Sequence, residues 1–461
     1  MSYEKQTWVN TPATTTPISA ARLNHLETQY DQAIQDAKTY TDSQTEPGPR
    51  FSAALSSELQ EGSTYAGALQ LDKYADSNLL DLPRSPSRVW YGHRINPAWK
   101  AAVGKVQSGT SDAKILCIGD STTYGTAASM PEGWMNQNSW PSMMAKFLNN
   151  NSAASERGLA VPPSDGSSVP ARTEDTRWTL GADWSRSTVA GLGLGGKGSV
   201  YTGVPGATYL DFKDPYIVAD RFDVYYLRIS TSTWGTFRAV VNGGGTPVEV
   251  PTSGAATSSV GVVTVNAPTR AAGQTLRIRN SGTAGSVYII GVEAYDSTRR
   301  RIRVGNSASS GSTSAGWLTP HASFGDAWNV FGFLKAYKPD LTIIDLGIND
   351  ASPTAPVDVP TYIANVKRIA DAAEAEGSGV LFKTMIPSGP QGGPRWVREK
   401  EYVEALKSIA PQRAVLDIFN HYTYDRNNAK GWMSDSAHGV DALYADEGSL
   451  VAEYLFRYSG N

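Results

Sequence analysis

The sequence predicts an α/β protein: a three-layer parallel sheet with helices on both faces, an inserted β-sandwich and an N-terminal coiled-coil helix. Three observations carry this. From about residue 96, short apolar runs alternate with helical patterns, as in parallel sheets covered on both sides. Between about 172 and 297 that alternation gives way to short β runs separated by turn residues. Before residue 50, apolar residues recur at heptad spacing.

The elements follow in order. Thr16-Pro17-Ile18-Ser19 is a helix start, with Thr16 or Ser19 as cap and Pro17 at the first helical position. Leu23, Leu26, Tyr30, Ala33, Ala37 and Tyr40 then form a narrow seam flanked by Asn24, Glu27, Gln29, Asp31, Gln32, Asp36 and Lys38. So polar a helix needs partner helices, or else packs on its own domain. Pro47-Gly48-Pro49 ends it. Residues 51–95 read as a connector that hugs the next domain. Lys114–Ile118 is the first strand of the α/β part, followed by 302–306, Leu341–Leu346 and Gly379–Thr384. Helical patterns lie over 134–149, 325–337, 360–376, 395–410 and 441–457. The inserted strands include Val224–Ile229, Phe237–Val241, 261–265, 275–278 and 286–293. The chain therefore divides into 1–50, a connector 51–95, an α/β domain 96–171 plus 298–461, and a sandwich 172–297.

Composition excludes several classes. A chain of 461 residues has room for about three domains. A formal charge of −3 lacks the basic surplus of a nucleic-acid binder. One cysteine, Cys117, rules out a disulfide framework and any zinc site built on cysteines. No apolar run is long enough to span a membrane, so no membrane insertion is expected. The start MSYEKQTWVN has no apolar signal region, so export by that route is not expected.

The chemistry gathers at strand ends. Gly119-Asp120-Ser121 ends the first strand, where open α/β sheets place their sites. Asn306–Thr313 follows the strand at 302, and Gly347-Ile348-Asn349-Asp350 follows the strand at 341, on the same edge. Asp435-Ser436-Ala437-His438 precedes the last helix. An Asp three residues before a His can hold Nδ1 within one turn and leave Nε2 free to take a proton.

These blocks, in this order, resemble the SGNH or GDSL-type hydrolases over about residues 96–458 without the insertion. The resemblance matches the first block to Gly119-Asp120-Ser121, the second to Ser310-Gly311-Ser312-Thr313, the third to Gly347, Asn349 and Asp350, and the fifth to Asp435 and His438. It implies Ser121 as nucleophile, His438 as base and Asp435 as its orienting acid. The oxyanion hole would be the backbone N–H groups of Ser121 and Gly311 and the Asn349 side chain, with glycine at 311 allowing close backbone approach. No metal or cofactor is implied. Gly439 stands where the family often has proline after the histidine, which predicts a looser loop. Asp120 and Asp350 are expected to hold loop backbone, and Cys117 to be core. His25 is expected to face solvent, and His93, His321 and His421 to be structural. Trp178, Trp184 and Trp234 are read as core, with stacking on a sugar ring as the alternative.

The N-terminus, Ser2–Asn10 followed by Thr16–Glu27, resembles the opening of phage minor tail and receptor-binding proteins. That implies a homotrimer, attachment to tail or baseplate proteins through the N-terminus, and a place in the virion acting at the host surface. Polar loops at Ala351–Thr354 and Pro387–Pro394 offer no apolar lid for a long acyl chain. The combined expectation is a tail-associated esterase that removes acetyl groups from a host cell-surface polysaccharide. The alternatives are a general carboxylesterase or lipase of the same type, a bacterial cytoplasmic esterase, and a receptor-binding protein that only binds.

Overall fold

Two runs of apolar residues at alternating positions, Ile115 with Cys117 and Leu116 with Ile118, set the architecture: each pair needs its own covering layer. The computed structural model describes residues 90–91, 97–129, 137–148, 159–160, 176–186, 200–215, 217–230, 234–242, 244–320, 325, 329–409 and 413–459. All lie in one compact unit, Leu71–Asn461. The expected heptad helix falls outside the described residues, as does the connector apart from Trp90–Tyr91.

The chain opens with β1 (Trp90–Tyr91), α1 (Pro97–Gln107), β2 (Ala113–Gly119), α2 (Ser121–Tyr124), α3 (Trp140–Leu148) and β3 (Leu159–Ala160). The inserted strands are β4 (Trp178–Leu180), β5 (Ser185–Arg186), β6 (Val200–Thr202), β7 (Leu210–Lys213), β8 (Val218–Arg228), β9 (Thr236–Val241), β10 (Val248–Pro251), β11 (Ser259–Ala272), β12 (Thr275–Asn280) and β13 (Val287–Tyr295). Then come β14 (Ile302–Asn306), α4 (Ser314–Leu318), α5 (Val330–Tyr337), β15 (Leu341–Asp345), α6 (Val359–Ala375), β16 (Gly379–Lys383) and α7 (Pro394–Ser408). The last elements are β17 (Ala414–Leu416), α8 (Tyr424–Ala429) and α9 (Asp441–Ser459).

The central sheet has the order β1-β17-β16-β15-β2-β14. All its pairs are parallel except β1, which adds antiparallel to β17. One face is covered by α1, α3 and α9 through Trp99, Trp140, Met144, Leu443 and Val451. The other is covered by α5, α6 and α7 through Phe333, Leu334, Val366, Ile369, Tyr402 and Leu406. The helix expected from 134 begins at Trp140, after a turn at Gln137–Ser139. Pro141 sits in its first turn, where a missing N–H costs nothing. The helix expected from 325 begins at Val330, because the Asn329 side chain accepts from the Phe331 N–H and caps it. Asp358 does the same for α6 through Thr361.

The insertion is a sandwich of two antiparallel sheets, β10-β9-β12-β7-β4 and β11-β8-β13-β6-β5. Strand β8 explains how it is seated. Its run Val224-Tyr225-Tyr226-Leu227 is apolar at every position, as a strand covered on both faces must be. Val224 and Tyr226 face the sandwich core, while Tyr225 and Leu227 join Phe333 and Leu334 in the core of the α/β part. The sandwich is thus a further layer on the helices. Strand β3, upstream of the sandwich, also pairs with β13. Trp178 and Trp184 are buried in the sandwich core, and Trp234 is half-buried against Tyr288.

Strand β2 lies between β14 and β15. The chain leaves β2, traverses the sandwich, returns on one side of β2 and then crosses to the other. At such a reversal the loops at the carboxyl ends part and leave a crevice. Gly119-Asp120-Ser121 sits at that point.

Candidate active site

The nucleophile candidate is set by the turn that carries it. A Cβ on Gly119 would lie 2.0 Å from Thr123 Oγ1 and 2.9 Å from the Asp345 carbonyl, so only glycine lets the chain turn this sharply out of β2. Asp120 caps the single-turn helix α2: its Oδ1 accepts from the Thr122 N–H and hydroxyl, each at 3.0 Å. Ser121 is the first residue of that turn, where a backbone N–H has no intrahelical acceptor. Burial, reinforced by Asp345, pushes the Asp120 carboxyl up to about 8.

His438 reaches Ser121 from a small hairpin. Met433 pairs with Gly439, and the Ser434 N–H donates to the His438 carbonyl at 2.9 Å. Asp435 Oδ1 accepts from the N–H groups of Ala437 (2.7 Å) and His438 (2.8 Å). Its Oδ2 meets His438 Nδ1 at 2.7 Å, and His438 Nε2 meets Ser121 Oγ at 2.8 Å. Burial alone would raise the Asp435 carboxyl, but these hydrogen bonds hold it below the usual range. The loop expected to be slack after His438 is not: Gly439 is paired, and a Cβ there would lie 2.8 Å from Leu443 Cδ2.

The remaining blocks converge on the same strand end. The Ser309 N–H donates to the Gly119 carbonyl at 3.0 Å, and Ser312 Oγ donates to the same carbonyl at 3.3 Å. Asn349 Nδ2 donates to the Ser312 carbonyl at 3.0 Å, so one of its two N–H bonds ties the two loops together. Asp350 accepts from the Ser314 N–H and hydroxyl and fixes the start of α4. Glycine at 311 suits its backbone conformation. A Cβ there would meet nothing within 4 Å, but φ is +76°, in the left-handed region.

Other candidates fall away or lie elsewhere. Cys117 is buried and its thiol is pushed up by burial, which keeps it protonated. His421 packs edge-on against Tyr422. His25, His93 and His321 lie outside the described residues. Among the described residues, no cluster of His, Cys, Asp and Glu could hold a metal ion, and no helix is long and apolar enough to cross a membrane.

Sequence reasoning missed a buried ionic group beneath the turn that carries Ser121. Asp345 Oδ2 accepts from Thr123 Oγ1 at 2.6 Å and Trp140 Nε1 at 3.1 Å, and pairs with Lys383 Nζ at 2.8 Å. Lys383 also pairs with Glu447 at 2.6 Å. The available signal was a charged residue at the end of two otherwise uncharged, fully buried strands, β15 and β16, which is rarely free of purpose.

No protein-family profile matches the chain, and no curated protein matches it. Solved structures do. One described as a peptidoglycan O-acetylesterase in action aligns with a TM-score of 0.59 and 18% identity, over 80% of this chain and 99% of its own. A lipase/acylhydrolase from Enterococcus faecalis is 22% identical over 34% of this chain and 77% of its own, with a TM-score of 0.27. A catalytic mutant of an acetylxylan esterase from Geobacillus stearothermophilus is 20% identical over 35% of this chain and 73% of its own, also at 0.27. The architecture is the three-layer α/β fold of the SGNH hydrolases. The α/β segments make up little more than half of the chain, so a likeness over 80% of it extends into the inserted strands.

Proposed function

We propose that the protein is a serine ester hydrolase that removes short acyl groups, acetyl foremost, from a host cell-surface polysaccharide, as a trimeric component of a phage tail. One observation carries the catalytic part: the unbroken contact from Asp435 Oδ2 through His438 to Ser121 Oγ. A serine hydroxyl attacks an ester only when a base takes its proton. Here His438 Nε2 is within reach to take it, and Asp435 holds the tautomer that leaves Nε2 open. The hydroxyl oxygen bonds the ester carbonyl, the oxyanion is met by the Ser121 and Gly311 N–H groups and Asn349, and the alcohol leaves with the proton from His438. Water, activated by the same histidine, then frees the acid.

Short acyl groups are favoured by the composition of the loops after β15 and β16: Ser352, Pro353, Thr354, Pro390, Gln391 and Gly392 include no large apolar side chain from which to build an apolar slot. Each buried CH₂ of a longer chain needs such a slot to gain about 0.8 kcal/mol. A glycan carrier is supported by the likeness in fold, insertion included, to a structure described as a peptidoglycan O-acetylesterase. The virion setting and the trimer rest on the N-terminal sequence, and the hole residues and triad roles on the matched blocks.

The test is acetate release from O-acetylated peptidoglycan and O-acetylated surface polysaccharides, wild type against Ser121→Ala. Wild type is expected to release acetate, and the variant to lose about 10⁴–10⁶ in kcat. Cleavage of simple esters without release from any glycan points to a general carboxylesterase. A kcat/KM that rises from acetyl to octanoyl esters points to a lipase. The assembly is tested by light scattering after size exclusion. Removing residues 1–46 should abolish the trimer and leave turnover per site unchanged, since a seam of about three heptads is not stable as a lone helix. A full-length monomer at micromolar concentration overturns the trimer.

A further inference from the structure

The ionic group beneath Ser121 is built from parts that belong to both halves of the Ser–His couple. Thr123 lies in the same helical turn as Ser121, and its hydroxyl is anchored on Asp345 Oδ2. Its carbonyl accepts from Asn306 Nδ2 at 2.8 Å, so the turn is held from two sides. Glu447 sits on α9, the helix that begins three residues after His438. The first turns of that helix also reach back past the nucleophile: Asp441 accepts from the Ser129 N–H at 2.6 Å, and the Tyr444 hydroxyl donates to the Thr126 carbonyl at 2.8 Å.

Lys383 joins the two. Its ammonium touches Asp345 and Glu447, and its side chain has no exposed surface. It lies 5.0 Å over the Trp140 ring. Apart from this ion pair, neither oxygen of Glu447 has a hydrogen-bond partner among the described residues. Burial would lower the Lys383 pKa, but the two carboxylates outweigh it and keep the ammonium charged. Stability alone does not account for such a group, because buried ion pairs are often replaceable by apolar side chains of similar volume without loss. What an apolar set lacks is direction: an ammonium held between two carboxylates fixes a distance.

We propose that Lys383 is a positioning residue for the Ser121–His438 couple, clamping Asp345 beneath the nucleophile turn to Glu447 on the helix that follows the histidine loop. The proposal rests on the serine-esterase reading above. It adds that the Oγ-to-Nε2 approach is set from below the site, by residues that touch no substrate. A shift of about 1 Å in such an approach is worth on the order of 100-fold in rate.

The experiment measures kcat and KM on an activated acetate ester for wild type, Ser121→Ala, Lys383→Met with Glu447→Leu, Thr123→Val and Glu447→Gln, each checked for folding by thermal melting. The double variant removes the ion pair as a unit. Thr123→Val cuts the other end of the clamp with a side chain of the same shape, and decides the question should the double variant fail to fold. Both are expected to lose about 10–100-fold in kcat with KM unchanged within about threefold. Glu447→Gln keeps an acceptor for the ammonium and is expected to hold kcat within about threefold of wild type. Folded clamp variants with wild-type kcat, beside an inactive Ser121→Ala, overturn the clamp alone. Equal activity of wild type and Ser121→Ala overturns the esterase reading and the clamp with it.

Discussion

Asp435 is the most exposed residue in the run of contacts from Asp435 through His438 to Ser121, with 54% of its side-chain surface open against 20% for His438. Solvent screens its charge, so its contribution is chiefly geometric: both oxygens are committed, one to the backbone of its own turn and one to Nδ1. Glu399 is the opposite case. It is buried on α7, accepts from the Ser388 N–H at 3.0 Å and contacts the Ser388 hydroxyl, and the next residue, Gly389, donates from its N–H to the Ser436 carbonyl at 2.9 Å. Burial pushes this carboxyl from 4.5 up to about 7. Between those values the folded chain keeps a proton that the unfolded chain has released, so stability contributed by this group falls as pH rises through the window. The full penalty, on the order of 3 kcal/mol, is present above about pH 7 and absent below about 4.5. Glu399→Gln keeps both contacts without the charge, and should gain on wild type in melting temperature as pH goes from 4.5 to 7.5. Parallel curves across that range would contradict this. At this scale Gly119-Asp120-Ser121 and Asp435-x-x-His438 were legible because each is local. Asp345, Lys383 and Glu447 were not, because three separate elements bring them together and no spacing links them.

At the scale of elements, the sandwich is bound to the α/β layer by charge as well as by packing. Glu293 of β13 has no exposed side-chain surface and lies 3.5 Å from Arg303 of β14 and 3.7 Å from Lys114 of β2. The hydroxyls of Tyr225 and Tyr337, one from each side of the junction, donate to its two oxygens at 3.4 Å. Removing one partner of a buried ion group typically costs about 3–5 kcal/mol, since the other charges stay buried and unpaired. Glu293→Ala is therefore expected to lower the melting temperature of the whole described unit in one calorimetric transition, because Tyr225, Leu227 and Ile290 share a core with α5 and α6. Two transitions, with only the sandwich shifted, would show that the parts fold separately. In the sequence β8 reads as one of the short alternating strands of the sandwich; that Val224–Leu227 is buried on both faces, and which layer covers the outer one, emerges only from the packing. Strand β17 escaped notice because Ala414–Leu416 is too short to show a period.

The whole molecule is organised around one reversal in strand order. Because β14 and β15 flank β2, the loops after all three strands meet over Ser121, and the hairpin before α9 brings His438 to them. The insertion occupies the connection from β2 to β14, so it interrupts none of the segments that carry Gly311, Asn349 or His438. The alternation of strands and helices made the layer architecture legible. The lateral order of strands was not, since the sequence names each strand but not its neighbour. The central claim is that Ser121 is a nucleophile activated by His438. Its most direct measurement is the intact mass of the protein after reaction with a serine-directed phosphonate, with the adduct located by peptide mapping. The account predicts one adduct per chain, on Ser121, none in Ser121→Ala, and labelling slowed by about 10³-fold or more in His438→Ala. A folded wild-type protein that takes no adduct at Ser121, or one labelled equally fast without His438, would contradict it.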